Sequence, residues 1–374
     1  MNYGEYRYIW QRPDWPNWRY DLAALAEPIA QVSRTQGLLA GRLAEAGFNE
    51  REEASLAALT EDVVRSSEIE GEQLDLASVR SSVARQRGVE SAALLPPDRK
   101  VDAVVEMALD ATRRFREPVT RERLLGWQAA LFPTGYAGMH AVRIGSWRDD
   151  ANGPMRVVSG PIERPRVHYE APPAARLEDE MARLLAWLEG PADEPALLRA
   201  GIAHLWFVTL HPFEDGNGRV ARALGDLMLA RADGGSQRFY SLSAQLLRER
   251  NAYYEIVERT QKGTLDVTPW LSWFLAALQR AMEDAHRTVD RVLAKAHFWR
   301  RVAQVPMNER QLKVLNRVLD GFQGKLTSGK WASLVKCSPD TALRDINDLV
   351  AKGVLRKSSA GGRSTSYEVV NDAD

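Results

Sequence analysis

The sequence predicts a mainly α-helical chain with one small β-hairpin near its middle and a further three-helix module at its C-terminal end. Three observations predict it. Apolar residues recur at helical spacing through most of the 374 residues. The pattern gives way to short β-rich runs only between Gly138 and Pro173. After residue 300 a fresh set of caps, helical stripes and a glycine turn begins.

In chain order, residues 1 to about 20 crowd Trp10, Trp15 and Trp18 around Pro13 and Pro16, which forbids a regular helix and predicts an aromatic strap packed on its neighbours. From Leu22 to about Arg85 the pattern is helical, with Leu56, Leu59, Val63 and Val64 on one stripe and Gly71 placed as a stop after Glu70. Val101 to Phe132 continues helical, and Thr120 caps the face of Leu124, Leu125 and Leu131. Met155-Arg156-Val157-Val158 and Val167-His168-Tyr169 read as two strands around Ser159-Gly160-Pro161, the one convincing hairpin before the C-terminus. Helical periodicity returns over 175–188, 197–210 and 219–230, with Asp215-Gly-Asn-Gly218 interrupting the last two, and runs again from Trp270 to about Trp299. Asn308 with Gln311 forms a capping box. Leu312, Leu315, Val318 and Leu319 mark one helix, Trp331, Leu334 and Val335 a second. Ser338-Pro339 opens a third, bearing Leu343, Ile346 and Leu349, and Gly353 ends it. Val354-Leu355 and Tyr367-Glu-Val369 flank a Gly361-Gly362 turn, so the module resembles a winged helix. The expected domains are 1–100, 101–295 and 300–374.

Composition narrows the function classes. A chain of this length is expected to hold two or three domains. Acidic and basic residues balance at 50 each, which removes any global case for a polyanion partner. The single cysteine, Cys337, excludes an intramolecular disulfide and a thiolate cluster and fits a reducing, cytoplasmic setting. No run reaches the ~18 apolar residues a membrane span needs, and the aromatic, charged start lacks a signal-peptide core.

The chemistry concentrates in His211-Pro-Phe-Glu-Asp-Gly-Asn-Gly-Arg219. Backbone amides at Gly216, Asn217 and Gly218, just before a helix start, form a nest that favours phosphate. Arg219 and Arg222 lie three apart on the following helix, where two guanidiniums suit a polyphosphate. Asp215 is the residue type that holds Mg²⁺ when phosphates supply the other ligands. His211, as a neutral imidazole, suits removal of a hydroxyl proton near pH 7. Each feature alone reads as a turn, a solvated face or a structural histidine; their co-occurrence in one short stretch makes the site. Other phosphate cradles fail. Gly324 to Lys330 has P-loop spacing but is followed by Trp331, and Gly216 to Ala221 follows a helix where a dinucleotide fingerprint needs a strand. His204, two turns before His211 among Trp206 and Phe207, reads as a core histidine, and no zinc is assigned.

The run His211-Pro-Phe-Glu-Asp-Gly-Asn-Gly-Arg-Val-Ala-Arg222 resembles the Fic (Fido) family signature His-x-Phe-x-[Asp/Glu]-Gly-Asn-Gly-Arg-x-x-Arg at every specified position. The likeness covers roughly residues 60 to 290. It implies a Fic helical core with the hairpin as a flap, flanked by an N-terminal helical domain and the C-terminal winged helix. It also implies a protein adenylyltransferase, moving AMP from ATP onto a Ser, Thr or Tyr hydroxyl with release of pyrophosphate. By that resemblance His211 is the base, Asp215 the Mg²⁺ ligand, and Gly216 to Gly218 the phosphate cradle. Arg219 and Arg222 hold the β- and γ-phosphates, Phe213 packs inward, and Met155, Arg156, Val157 and Val158 align the target backbone by strand addition. Gly218 argues against the kinase variant of the family, whereas other members transfer phosphocholine or UMP. Ser66-Ser-Glu-Ile-Glu70-Gly71 resembles the inhibitory motif of members that carry it N-terminally, in which the glutamate pairs with the second arginine, here Arg222, and displaces the γ-phosphate.

The partners implied are ATP, a protein with an exposed hydroxyl, the chain itself as target or homodimer, and no membrane. Two alternatives stay open. The same glutamate orients water for AMP removal in part of the family. A regulator acting through DNA is the rival class: residues 300–374 carry 13 Lys and Arg against 8 Asp and Glu, with Arg344, Lys352, Arg356, Lys357 and Arg363 on or after the recognition helix.

Overall fold

The computed structural model describes residues 6–45, 47–88, 95–161, 164–235, 237–319, 322, 324–358 and 365–370. The chain divides into two compact units, Met1–His286 and Arg287–Asp374. The first begins with a 3-10 turn at Ile9–Gln11 and continues through α1 (Leu22–Glu45), α2 (Phe48–Ile69), α3 (Leu76–Arg87), α4 (Arg99–Arg113) and α5 (Arg121–Leu131). Next come β1 (Tyr136–Ala137), β2 (His140–Ala141), β3 (Arg156–Ser159) and β4 (Arg166–Glu170). Then follow α6 (Ala174–Glu189), α7 (Ala196–Leu210), α8 (Asn217–Asp233), α9 (Leu242–Arg248) and α10 (Arg250–Gln261). After α11 (Thr268–Arg301) the second unit holds α12 (Glu309–Leu319), α13 (Ser328–Val335), α14 (Pro339–Ala351), β5 (Leu355–Lys357) and β6 (Tyr367–Val369). The molecule is mainly helical, as its periodicity predicts. Two additions stand out: the two-residue pair β1–β2, and the helices α9 and α10 in a stretch where no helix is expected from sequence.

α7 is the centre of the first unit because its sequence is apolar on every side, and every residue from Leu197 to Leu210 is buried. It connects to α8 through residues 211–216 alone, and the two helices pack along each other, so whatever that loop carries is held between two core elements. α2 docks on α9 through a buried carboxylate: Asp62 accepts from the Ser241 hydroxyl at 2.7 Å and the Ser243 amide at 3.1 Å. Those donors lie at the start of α9, where a negative charge also meets the positive helix end. α2 stops at Ile69, Glu70 caps it, and Gly71 takes a φ of +84°, the left-handed position that ends helices.

The aromatic strap forms as predicted among residues 6–20. Trp15 and Trp18 meet Trp206 of α7 edge-on, and the Trp15 indole donates to Glu180 at 2.9 Å. In the second unit, Asn308 and Gln311 exchange both bonds of a capping box at 2.9 Å, and Ser338 caps α14 with Pro339 in its first turn. Trp331, Ile346 and Leu349 are its core, and β5 pairs with β6. The Gly361-Gly362 turn and Arg363 lie outside the described residues. Among the described residues no helix is long and apolar enough to cross a membrane.

His204 is a core residue. One ring nitrogen meets the Ala221 carbonyl at 3.2 Å and the other the Tyr253 hydroxyl at 2.8 Å, while the ring stacks on Trp270. A carbonyl only accepts, so Nδ1 carries the hydrogen and Nε2 accepts from tyrosine. Burial, then the nearby Arg222 charge, push its pKa down from 6.5 to about 3. A histidine with a depressed folded pKa contributes stability above 6.5 that is lost as pH falls towards 3, by about 2 kcal/mol between pH 7 and pH 5. Thermal melts over that range are expected to fall more steeply for the parent than for His204→Gln; parallel slopes would contradict this account.

Candidate active site

The loop 211–216 is bent where a helix would otherwise continue. His211 closes α7 in the left-handed region, φ 49° and ψ 57°, a costly conformation for a residue with a Cβ. The bend is held from outside by Arg148, whose side chain is fully buried. Its Nε donates to the His211 carbonyl at 2.8 Å, its Nη2 to the Pro172 carbonyl at 2.6 Å, and its Nη1 to Asp150 at 2.9 Å, while its backbone amide donates to Pro212 at 2.8 Å. From inside, Phe213 is wholly buried against Trp147 and Phe207. Asn217 braces the same turn, accepting from the Phe213 amide at 2.9 Å and donating to its carbonyl at 2.7 Å. Its side chain therefore shapes the loop, and its contribution to an anion is confined to backbone.

This bend sets the imidazole. The half-buried His211 places Nδ1 at 3.1 Å from the Val208 carbonyl, so Nδ1 carries the hydrogen and Nε2 keeps a lone pair. Burial holds its pKa below the ordinary value, aided by the Arg148 charge and opposed by the Val208 bond and Glu70, which keeps the ring neutral near pH 7. Asp215 is half-exposed, with one oxygen 2.5 Å from the Gly216 amide. Gly216, at φ +88°, starts α8 where a Cβ would press on Leu131 and Phe132.

Above the head of α8 stands a carboxylate from α2. Glu70 Oε1 accepts from Arg222 Nη2 at 2.9 Å, and a Cβ added to Gly218 would overlap that carboxylate, so side chain and helix end are in close approach. Arg222 also donates to the Ser66 hydroxyl at 2.9 Å and the Ser66 carbonyl at 2.8 Å. Burial alone would raise the Glu70 pKa; Arg222 first, then Arg219 and His211, more than offset it, so the carboxyl stays below its usual range and charged. Arg219 behaves differently. It is buried beneath the Phe132 ring, with Nη1 3.1 Å from Glu72 and Nη2 3.8 Å from Asp215, and it does not line the cleft as Arg222 does. The segment after α2 thus meets both arginines, Glu70 on one and Glu72 on the other.

The cleft measures about 860 Å³ and is lined by Glu70, His211, Asp215 to Gly218, Arg222, the hairpin residues Met155 to Ser159, and Tyr253 and Tyr254 of α10. His211, Asp215, Gly216, Asn217, Gly218, Arg222, Glu70, Met155, Arg156, Val157 and Val158 of the sequence-predicted set therefore meet around one space, while Ser66 and Gly71 stand behind Glu70 and Arg219 stands aside. β3 pairs with β4 in a two-stranded sheet, leaving its other edge without a strand among the described residues. Sequence reasoning missed Arg148, Glu72 and α10. The α10 signal was present in Tyr253, Ile256, Val257 and Thr260 at helical spacing.

Comparison with known proteins gives two family matches, "Fic/DOC family" over residues 118–229 and a domain of unknown function, DUF4172, over residues 8–89. Among curated proteins, a uridine 5'-monophosphate transferase of Xanthomonas campestris pv. campestris is 30% identical over 169 residues, 41% of this chain and 29% of that protein. A protein adenylyltransferase Fic of Nematostella vectensis is 31% identical over 138 residues, 36% of this chain and 28% of that protein. The chain thus spans less than a third of the length of these relatives. Among solved structures, a Fic family protein from Desulfovibrio desulfuricans aligns over 93% of this chain and 96% of its own with a TM-score of 0.52 and 21% identity, a likeness of fold. A Fic domain containing signaling protein from Bacteroides thetaiotaomicron aligns over 70% of this chain and 97% of its own with a TM-score of 0.51 and 18% identity.

Removing Arg148 leaves the His211 and Pro172 carbonyls without their donor and strips Asp150 of its cation, though Asp150 keeps the Ala174 amide at 2.7 Å, so Arg148→Ala is expected to cost about 3 kcal/mol of stability, and Arg148→Lys, lacking the guanidinium fork, to recover little of it. Urea unfolding checks this; an unshifted midpoint for Arg148→Ala would show that the bend at His211 stands without the clamp.

Proposed function

From a chain that carries a Fic/DOC domain at residues 118–229, we propose a protein adenylyltransferase, moving AMP from ATP to a Ser, Thr or Tyr hydroxyl of a protein. One observation carries the reading: the Glu70 carboxylate already sits at the N-terminus of α8, over Gly218 and bound to Arg222. A helix start and a buried arginine that hold a carboxylate offer the same donors to a phosphate. In the reaction proposed, the target hydroxyl forms a bond to the α-phosphorus, the bond to the bridging oxygen breaks, and pyrophosphate leaves. His211 Nε2 takes the hydroxyl proton, worth about 10² to 10⁴ in rate. The amides of Gly216 to Gly218 and the guanidinium of Arg222 face the phosphates, with Arg219 behind them. The free edge of β3 at Met155 to Val158 aligns the target chain. Asp215 suits Mg²⁺, since it presents a half-exposed carboxylate to the same space, where phosphate oxygens and water would supply the other ligands. When bound, the ion neutralises phosphate charge.

The curated relatives include transferases named for AMP and for UMP, so nucleotidyl transfer is the broader reading and AMP the narrower one. Autoinhibition belongs to the same proposal: Glu70 and the γ-phosphate compete for Arg222, with residues 1–100 supplying the inhibitory helix and 101–295 the catalytic core. DNA binding by residues 300–374 as a winged helix has less support, because Lys352 donates to Asp348 and to the Pro306 carbonyl and Arg356 pairs with Glu368.

If the Glu70–Arg222 contact is worth about 3 kcal/mol, only about 1% of molecules are competent at a time, and Glu70→Gly is expected to raise AMP transfer by about 100-fold in a labelled-ATP assay. Equal labelling by variant and parent would refute the lock. In that activated background His211→Ala is expected to abolish transfer to a separate protein target while calorimetry still detects ATP; wild-type transfer to that target by the double variant would remove His211 as its base.

A further inference from the structure

A second imidazole opens on the cleft, and it carries a hydroxyl with it. Ser159, the last residue of β3, places Oγ 2.6 Å from Nε2 of His168 on β4, and His168 Nδ1 lies 2.6 Å from Oε2 of Glu258 on α10. A carboxylate only accepts, so Nδ1 carries the hydrogen; in the neutral ring Nε2 then has the lone pair, and the Ser159 hydroxyl donates to it. Glu258 is fixed in turn by Lys262 at 2.5 Å. Burial would raise the Glu258 carboxyl, but the bonds from Lys262 and His168 hold it below its usual range, so it is ionised. Nucleophile, base and orienting carboxylate are thus aligned in the order that activates a serine.

The plain alternative is a staple between the hairpin and α10. The His168–Glu258 bond already supplies that, and it does not require a hydroxyl at 159. Ser159 is exposed, and Ser159, His168 and Glu258 all line the space that holds Gly216 to Gly218 and Arg222.

We propose that Ser159 is a nucleotidyl acceptor of this chain, activated by His168 and Glu258, an inference that rests on the reading of the cleft as a nucleotide-transfer site. In that step Ser159 Oγ forms a bond to the α-phosphorus of ATP, the bond from that phosphorus to the bridging oxygen breaks, and pyrophosphate leaves with the electron pair. The serine proton passes to His168 Nε2 and from there to water. The product is a phosphodiester joining AMP to Ser159, which sets the nucleotide at the end of β3 beside the edge on which a target strand would dock.

The test uses the full chain carrying Glu70→Gly, incubated with ATP and Mg²⁺, digested and read by tandem mass spectrometry. AMP is expected on Ser159, to be absent there in Ser159→Ala, and to accumulate about 10² to 10⁴-fold more slowly both in His168→Ala and in His168→Gln, whose amide can keep the bond to Glu258 but cannot act as a base; parent-like labelling by His168→Gln would overturn the role of His168 as the base. A fluorophosphonate probe, which reports an activated serine without ATP, is expected to label Ser159 in the parent and not in His168→Ala. AMP on other hydroxyls of the chain with Ser159 bare overturns this inference and leaves the nucleotide-transfer reading standing. Absence of AMP from every residue, with no pyrophosphate released, overturns both.

Discussion

Arg222 is almost wholly removed from water, and a guanidinium in that position must find its counter-charge inside the protein or be displaced from it. In this chain the charge is met by Glu70 and by two oxygens of Ser66, all from the last turn of α2. Much of the architecture follows from that contact. α2 has to reach the head of α8, Asp62 has to hold it there against α9, and Gly71 has to end it before Glu70 is carried out of reach. The partner of Arg222 is a carboxylate in a place that the helix start makes favourable for any oxyanion. Under the proposed function, the donors of this ion pair are also those of the phosphate site, and the anion that occupies them would decide whether the cleft is closed or ready.

The second arginine makes the competition asymmetric. Arg219 has Glu72 within 3.1 Å, yet its Nε and Nη1 are without a hydrogen-bond acceptor, buried under Phe132. Two donors in that state are costly to leave unmet. Glu70 satisfies Arg222 at a normal distance, while Glu72 meets Arg219 poorly, so the contact beyond Gly71 is the weaker of the two.

The helices, the hairpin and the capping residues were legible because each depends on local rules: Thr120, Ser338 and the Asn308–Gln311 box all cap where their spacing places them. The cleft set was legible because it lies in one continuous stretch. What could not be read depends on distance along the chain. Arg148 reaches His211 from 63 residues away, and nothing local to it marks an arginine that will be buried. α10 was hidden because its apolar positions are mostly tyrosine, valine and threonine, whose helical preference is weak. The pairing of Arg219 with Glu72 instead of open solvent was equally out of reach, since spacing places two arginines on one face of α8 without saying what covers each.

α10 shows why those missing pieces matter together. Its Tyr253 donates to His204 inside the core and lines the cleft, and Tyr254 beside it faces the same space. One turn on, Glu258 holds His168 of the hairpin. A single helix therefore ties the buried His204 of α7, the wall around Arg222 and the orientation of the β3–β4 hairpin into one support. The hairpin alone is a two-stranded ribbon, too small to hold its own register in water. Its position is fixed because α10 supplies, through the imidazole of His168, the anchoring that a third strand would otherwise give.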